Sequence, residues 1–170
     1  MQQPPLLPEE TLVRVIRLAK LDGTSVLVLG SVFALMSASR GDAAFAVVGL
    51  FATAAGAFEL HGSGQLRQGE PGGMRWILLS QPFLYLVVLA YCYLRLSHFE
   101  MPPIPDRFRE AFELSAQQVG LSVEDYLRTL NRVSIQAVAG ASTLYQGIMT
   151  YYYLKRRGAV ETALASDQAA

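Results

Sequence analysis

The sequence has one cysteine, Cys92, so neither an internal disulfide framework nor a cysteine-based zinc site can form. Cys92 stands inside an apolar run, where a lone thiol acts as a small hydrophobe, and it leaves the redox compartment undetermined. Charge is also scarce. Only 16% of the residues are charged, against about 25% in an average soluble domain, and the 14 basic residues cancel the 14 acidic ones. A neutral chain with no basic face gives nucleic acid nothing to bind, because that association depends on cations displacing the counterions of phosphate. The chain also lacks a Walker loop, a dinucleotide glycine fingerprint, a GxSxG elbow and an HExxH helix, so no catalytic residue, metal ligand or cofactor is assigned.

What is present is apolar: 52% of the residues are hydrophobic. Four uncharged runs approach the ~20 residues needed to cross a ~30 Å hydrocarbon layer, and each is closed by charge on both sides. They predict membrane helices over residues 23–39, 43–61, 75–97 and 131–154. The expected fold is therefore an all-α, single-domain integral membrane protein with four transmembrane helices. A partly helical, proline-containing loop over residues 98–130 is expected between the third and fourth. A cleaved leader competes for the first run, since Arg14, Arg17 and Lys20 precede it and Ser37-Ala38-Ser39 closes it, but the basic lead-in is long for that.

Residues 1–22 read as a loosely ordered tail followed by an amphipathic lead-in lying on anionic headgroups before the chain turns inward. Residues 155–170 read as a frayed polar tail. In the loop, Asp106 is the expected N-cap of one helix and Gly120 its C-cap; Ser122-Val-Glu-Asp125 opens the next as a capping-box variant that runs on into the fourth span. Lys and Arg cluster at both chain ends, in Arg14, Arg17 and Lys20 and in Lys155, Arg156 and Arg157. That bias predicts a multi-pass protein of the cell (inner) membrane with both termini cytoplasmic.

Small residues set the expected packing, since helices in lipid associate by close backbone approach. Gly30, Ala34 and Ala38 form one seam, Gly49, Thr53 and Gly56 a second, and Ala139, Thr143 and Gly147 a third. The bulky third helix is expected at the periphery, or against a partner. Trp76, Tyr145 and the triplet Tyr151-Tyr152-Tyr153 read as interfacial anchors.

The candidate functional residues are polar groups near or within the spans: Glu59, His61, Arg75, Gln81 and Gln146. Glu59 and His61 lie about 200° apart on a helix and cannot share a ligand there. His61 and His98 close helices at opposite ends, so they cannot meet on one metal. The expected arrangement is a helix-end ion pair of Glu59 with Arg75, with Arg67 competing, in a polar layer that also draws on Lys20, Asp22, His61 and Gln81. Gln81-Pro82 marks a kink, and Gln136 and Gln146 fall nearly on one helical face. The glycines of HGSGQLRQGEPGG are expected to be a flexible connection.

These features favour a non-enzymatic accessory or structural membrane subunit, with lipids and a protein partner or a second copy as its company. The alternatives are a small oligomeric transporter or channel using Glu59, Gln81 and Gln146, and a lipid-modifying membrane enzyme with Glu59 and His61 at headgroup level.

Overall fold

The computed structural model describes residues 7–97 and 104–169, with side chains to 166. His98, Pro102 and Pro103 lie outside the described residues. Among those described, the chain forms five helices and no strand: α1 (Pro8–Ser39), α2 (Ala43–Arg67), α3 (Gly73–Ser97), α4 (Asp106–Gln118) and α5 (Val123–Ala169). By length and composition α1, α2 and α3 can each cross a membrane. The apolar part of α5 is interrupted by Ser134, Gln136, Ser142, Thr143 and Gln146, which lower its hydropathy below that of the other three.

The helix ends follow from local chemistry. Pro8 opens α1, where a missing N–H costs nothing, and Glu9 and Glu10 sit in the positive first turn. Asp42 caps α2, accepting from the Phe45 N–H at 3.3 Å. Gly41, Gly69 and Gly120 each take a positive φ just past a helix. There the next N–H bonds back to the third-last helical carbonyl, as from Asp42 to Ser37, Glu70 to Gln65 and Leu121 to Ala116. Ser122 caps α5 as expected: its hydroxyl accepts from the Asp125 N–H at 3.1 Å and donates to the Asp125 carboxylate at 2.7 Å. The N-cap of α4 is Pro105, in an extended conformation; Asp106 is the first helical residue and pairs with Arg109 at 3.3 Å.

Three element boundaries differ from the expectation. The amphipathic lead-in makes no turn into the first span but is continuous with it, within one 32-residue helix. The tail beyond residue 155 is helical to Ala169, with Val160, Ala163 and Leu164 buried. And α2 runs on through His61-Gly62-Ser63-Gly64 to Arg67, while α3 already begins at Gly73. Gly62, Gly64 and Gly73 are thus helical, and the connection is confined to residues 68–72. Gly62 and Gly73 bring two backbones together: a Cβ on Gly62 would sit 2.6 Å from the Gly73 carbonyl oxygen.

The four long helices close a ring in which α1 packs on α2, α2 on α3, α3 on α5 and α5 on α1. The bulky α3 is thus a wall between α2 and α5 rather than a peripheral helix. Both small-residue seams of α1 and α2 close as expected. Added Cβ atoms would lie 2.7 Å from the Thr53 nitrogen at Gly30, 2.6 Å from the Ala34 nitrogen at Gly49 and 2.5 Å from the Leu27 nitrogen at Gly56. Thr53 also meets Ser31 at 3.3 Å across this crossing. On α5 the seam of Ala139, Thr143 and Gly147 meets a neighbour at Thr143, whose hydroxyl lies 3.2 Å from that of Tyr85 on α3, but Gly147, like Gly140 nearby, has nothing within 4 Å of a built Cβ.

The main core lies at the end of the bundle shared by the first helix and the end of the last, where Val15 and Ala19 meet Leu66, Met74, Ile77, Met149, Tyr153, Val160 and Leu164. At the other end Phe33, Phe45 and Tyr91 form an edge-to-face trio with centroids 5.7 to 6.5 Å apart. Cys92 is buried between α3 and α5, its thiol 3.9 Å from the Ile135 carbonyl oxygen, in keeping with a packing role.

Candidate functional site

Glu59 is 2% exposed, the most deeply buried carboxyl group among the described residues, and the close approach of α1 and α2 puts it there. Gly23 faces it without a side chain; a Cβ there would lie 3.2 Å from the Glu59 Cβ and 3.0 Å from the Gly56 carbonyl oxygen. One residue earlier, Asp22 of α1 is also buried, and its carboxyl group comes within hydrogen-bonding reach of Glu59.

The donors come from the other two helices. On α3, the phase that buries Met74, Ile77 and Ser80 also buries Gln81, whose Nε2 donates to Glu59 Oε1 at 3.2 Å. On α5, Tyr145, Met149 and Tyr153 stand four residues apart on one face. The Tyr153 hydroxyl donates to Glu59 Oε1 at 2.9 Å, and the Tyr145 hydroxyl donates to Asp22 Oδ1 at 2.7 Å. Two acceptors, Asp22 Oδ2 and Gln81 Oε1, are buried with no donor. All four long helices therefore meet in one polar cluster, which contains two carboxyl groups and no cation among the described residues.

The expected ion pair is absent. Arg75 lies on the outward side of α3, six residues from Gln81 and about 240° away from it, and is exposed. Arg67 and Lys20 are exposed as well, and the ion pairs among the described residues are Arg109–Asp106, Arg128–Glu124 and Arg157–Glu161, all on the surface. His61 leaves the layer too. It faces outward, bonds Gln65 at 3.2 Å and sets its ring edge-on to Trp76 at 5.3 Å. Of the polar layer expected around Glu59, Asp22 and Gln81 are in place and Lys20, His61 and Arg75 are not.

Gln146 is buried but takes no part in the hydrogen bonds of this cluster; its Oε1 has no donor, and it lines a groove of about 420 Å³ with Pro82, Tyr85, Thr143, Gly147 and Tyr151. Gln136 is exposed, so the two glutamines share no polar path. Pro82 lies inside α3, which is helical from Gly73 to Ser97.

Two contributors were hidden from the sequence. Tyr153 belongs to a triplet that resembles an interfacial anchor, and Tyr151, at 65% exposure beneath the Lys155 ammonium, fits that description. Tyr153 is fully buried. The signal that separates them is the four-residue spacing back to Met149 and Tyr145. Tyr145 is the second: it also resembles an interfacial anchor, yet its hydroxyl donates to Asp22 Oδ1.

Chemically the cluster holds acceptors, neutral hydroxyl and amide donors and no activated nucleophile. No group of three or more metal-ligating side chains is found among the described residues. Compared with protein-family models, curated proteins and solved structures, the chain finds no match in any of the three.

Proposed function

We propose that the chain is a non-enzymatic subunit of the cell membrane, with α5 as a fourth span and both termini cytoplasmic, that engages a partner helix through the outer face of α5. The observation that carries this reading is the contrast among glycines. Gly30, Gly49, Gly56, Gly62 and Gly73 each sit where a neighbouring backbone leaves no room for a Cβ, and at Gly23 the fit would be tight, whereas Gly140 and Gly147 face open space. In lipid, small residues on an outward face allow a second helix to approach closely. The polar cluster supports the non-enzymatic half of the reading, because Glu59, Gln81 and Tyr153 are sealed inside the bundle, at most 2% exposed.

The test places a photo-crosslinking residue at 147 in the full chain in native membranes, with a second probe in place of Met74, a large side chain only 2% exposed, as an interior control. Adducts with a different chain at 147 alone, abolished by Gly140→Leu while the fold survives, are the expected result. A folded protein that yields no adduct at 147 overturns the proposal.

A second reading, a small transporter assembled from several copies, draws on the buried carboxyl pair, since ionisable groups inside a membrane bundle commonly serve transport paths. Adducts between identical chains would favour it. The lipid-modifying reading loses its pair of groups, because His61 and Glu59 point to opposite sides of α2.

A further inference from the structure

Asp22 and Glu59 are the buried carboxyl groups among the described residues, and they face each other across the α1–α2 crossing. The titratable groups that face them from the surrounding helices can each be named, since Lys20, His61, Arg67, Arg75 and Lys155 on the same helices are exposed. From α5 come Tyr145 and Tyr153, both donating as neutral phenols. From α3 come Gln81 and Ser80, neither of which titrates, and from α1 and α2 come the two carboxyl groups themselves. Fully ionised, the pair would place two negative charges side by side in a bundle interior with no counter-charge, a costly arrangement in a low dielectric.

The donor count gives an independent sign. Gln81 is 1% exposed and its amide is directed at Glu59, yet its Oε1 receives no hydrogen bond; Asp22 Oδ2, also buried, receives none either. The cluster is short of donors as well as of positive charge, and buried acceptors without a donor are uncommon enough to require an explanation.

We infer that Asp22 and Glu59 form a proton-binding site, in which one exchangeable proton is held between the two carboxyl groups. The proton arrives from water and returns to it, converting the pair from two carboxylates to one carboxylate and one carboxylic acid that share an O–H···O bond. Its occupancy is tied to the fold at a sensitive point. With the proton in place, α1 and α2 attract where Gly23 and Gly56 bring them closest; without it, like charges repel there while Tyr145 and Tyr153 still hold them to α5. The inference does not depend on what α5 meets.

The test is infrared difference spectroscopy of the full chain in lipid nanodiscs, titrated between the ordinary carboxyl and phenol ranges, from about pH 4 to about pH 10. The wild type is expected to show the C=O stretch of one protonated carboxyl group at neutral pH, sensitive to deuterium exchange and to ¹³C-carboxyl labelling of aspartate or glutamate. Asp22→Asn and Glu59→Gln should each move the midpoint of that band, and the double variant should abolish it. Absence of the band at neutral pH in the wild type overturns the inference, as does a band unchanged in the double variant or one that labelling of both residue types leaves in place. Erasure of the band by sodium at fixed pH, with sodium taken up in its stead, identifies an alkali cation as the occupant and overturns it too. Isotope labelling needs no substitution, so the inference stays testable if a variant fails to fold.

Discussion

The Tyr153 hydroxyl reaches across the bundle from α5 to Glu59 of α2 at 2.9 Å, joining two helices on opposite corners of the ring. Neither residue is more than 2% exposed, so the bond is made where water does not compete and its loss leaves a buried acceptor. Tyr153→Phe keeps the ring's packing and removes only the donor. It should destabilise the protein by about 1–3 kcal/mol, the typical cost of leaving a buried partner unsatisfied. Tyr145→Phe removes the corresponding bond to Asp22 at 2.7 Å, but Tyr145 is 45% exposed. Its effect should be smaller, nearer about 0.5–1.5 kcal/mol. Thermal unfolding of both variants in the same detergent decides the order, and an equal or reversed effect would contradict the assigned burial.

The glycines provide a sharper contrast. A Cβ on Gly56 would meet the Leu27 nitrogen at 2.5 Å, a backbone atom that cannot step aside, whereas a Cβ on Gly147 meets nothing within 4 Å. Gly56→Ala should cost about 1–3 kcal/mol, as overpacking does in a close-packed interior. Gly147→Ala should leave the isolated protein's melting temperature unchanged or slightly raised, since alanine is the better helix former. If Gly147→Ala destabilises the purified monomer as strongly as Gly56→Ala, the outer face of α5 is not free.

The end of the chain is the part least legible in the sequence. GAVETALASDQAA is small and polar, and composition alone assigns it to a frayed tail. In the fold it continues α5 for more than three turns, with Val160, Ala163 and Leu164 buried near Val15, Ala19 and Leu66. The apolar residues are few but correctly phased, and the lead-in before residue 22 supplies the surface they need. Leu164→Ala should therefore cost about 2–4 kcal/mol, within the range for truncating a buried leucine. Amide exchange should show residues 158–165 protected to the same degree as the middle of α5; rapid exchange there would return the tail to its compositional reading.

Other parts were legible because one physical cause dominated. Uncharged length marked the three apolar helices, and small-residue spacing marked the α1–α2 crossing through Gly30, Gly49 and Gly56. The turn past α4 followed from Gly120, and the start of α5 from Ser122 and Asp125. The site was legible by half. The helical angle between Glu59 and His61 separated them correctly, but which basic or polar group Glu59 meets depends on the rotation of α3 and α5. Charge complementarity favoured Arg75, whereas the inward phase of α3 delivered Gln81. In the same way, the stop of α2 was drawn at the glycines after His61 because glycine is common in loops; at Gly62 and Gly73 it serves close helix approach instead.

That choice between Arg75 and Gln81 is open to a direct test. Gln81→Ala removes the 3.2 Å bond to Glu59 and a side chain that is 1% exposed, so it should destabilise by about 1–3 kcal/mol. Arg75→Ala touches no ion pair and should leave the melting temperature where it is. Because Gln81 Nε2 and Tyr153 donate to the same oxygen of Glu59, their losses should not add. In a double-mutant cycle of Gln81→Ala with Tyr153→Phe, groups sharing one partner should couple by about 0.5 kcal/mol or more, whereas independent sites add within about 0.3–0.5 kcal/mol. Strict additivity would mean that the two donors do not converge on Glu59, and a loss of stability in Arg75→Ala equal to that in Gln81→Ala would restore the helix-end ion pair as the reason Glu59 is buried where it is.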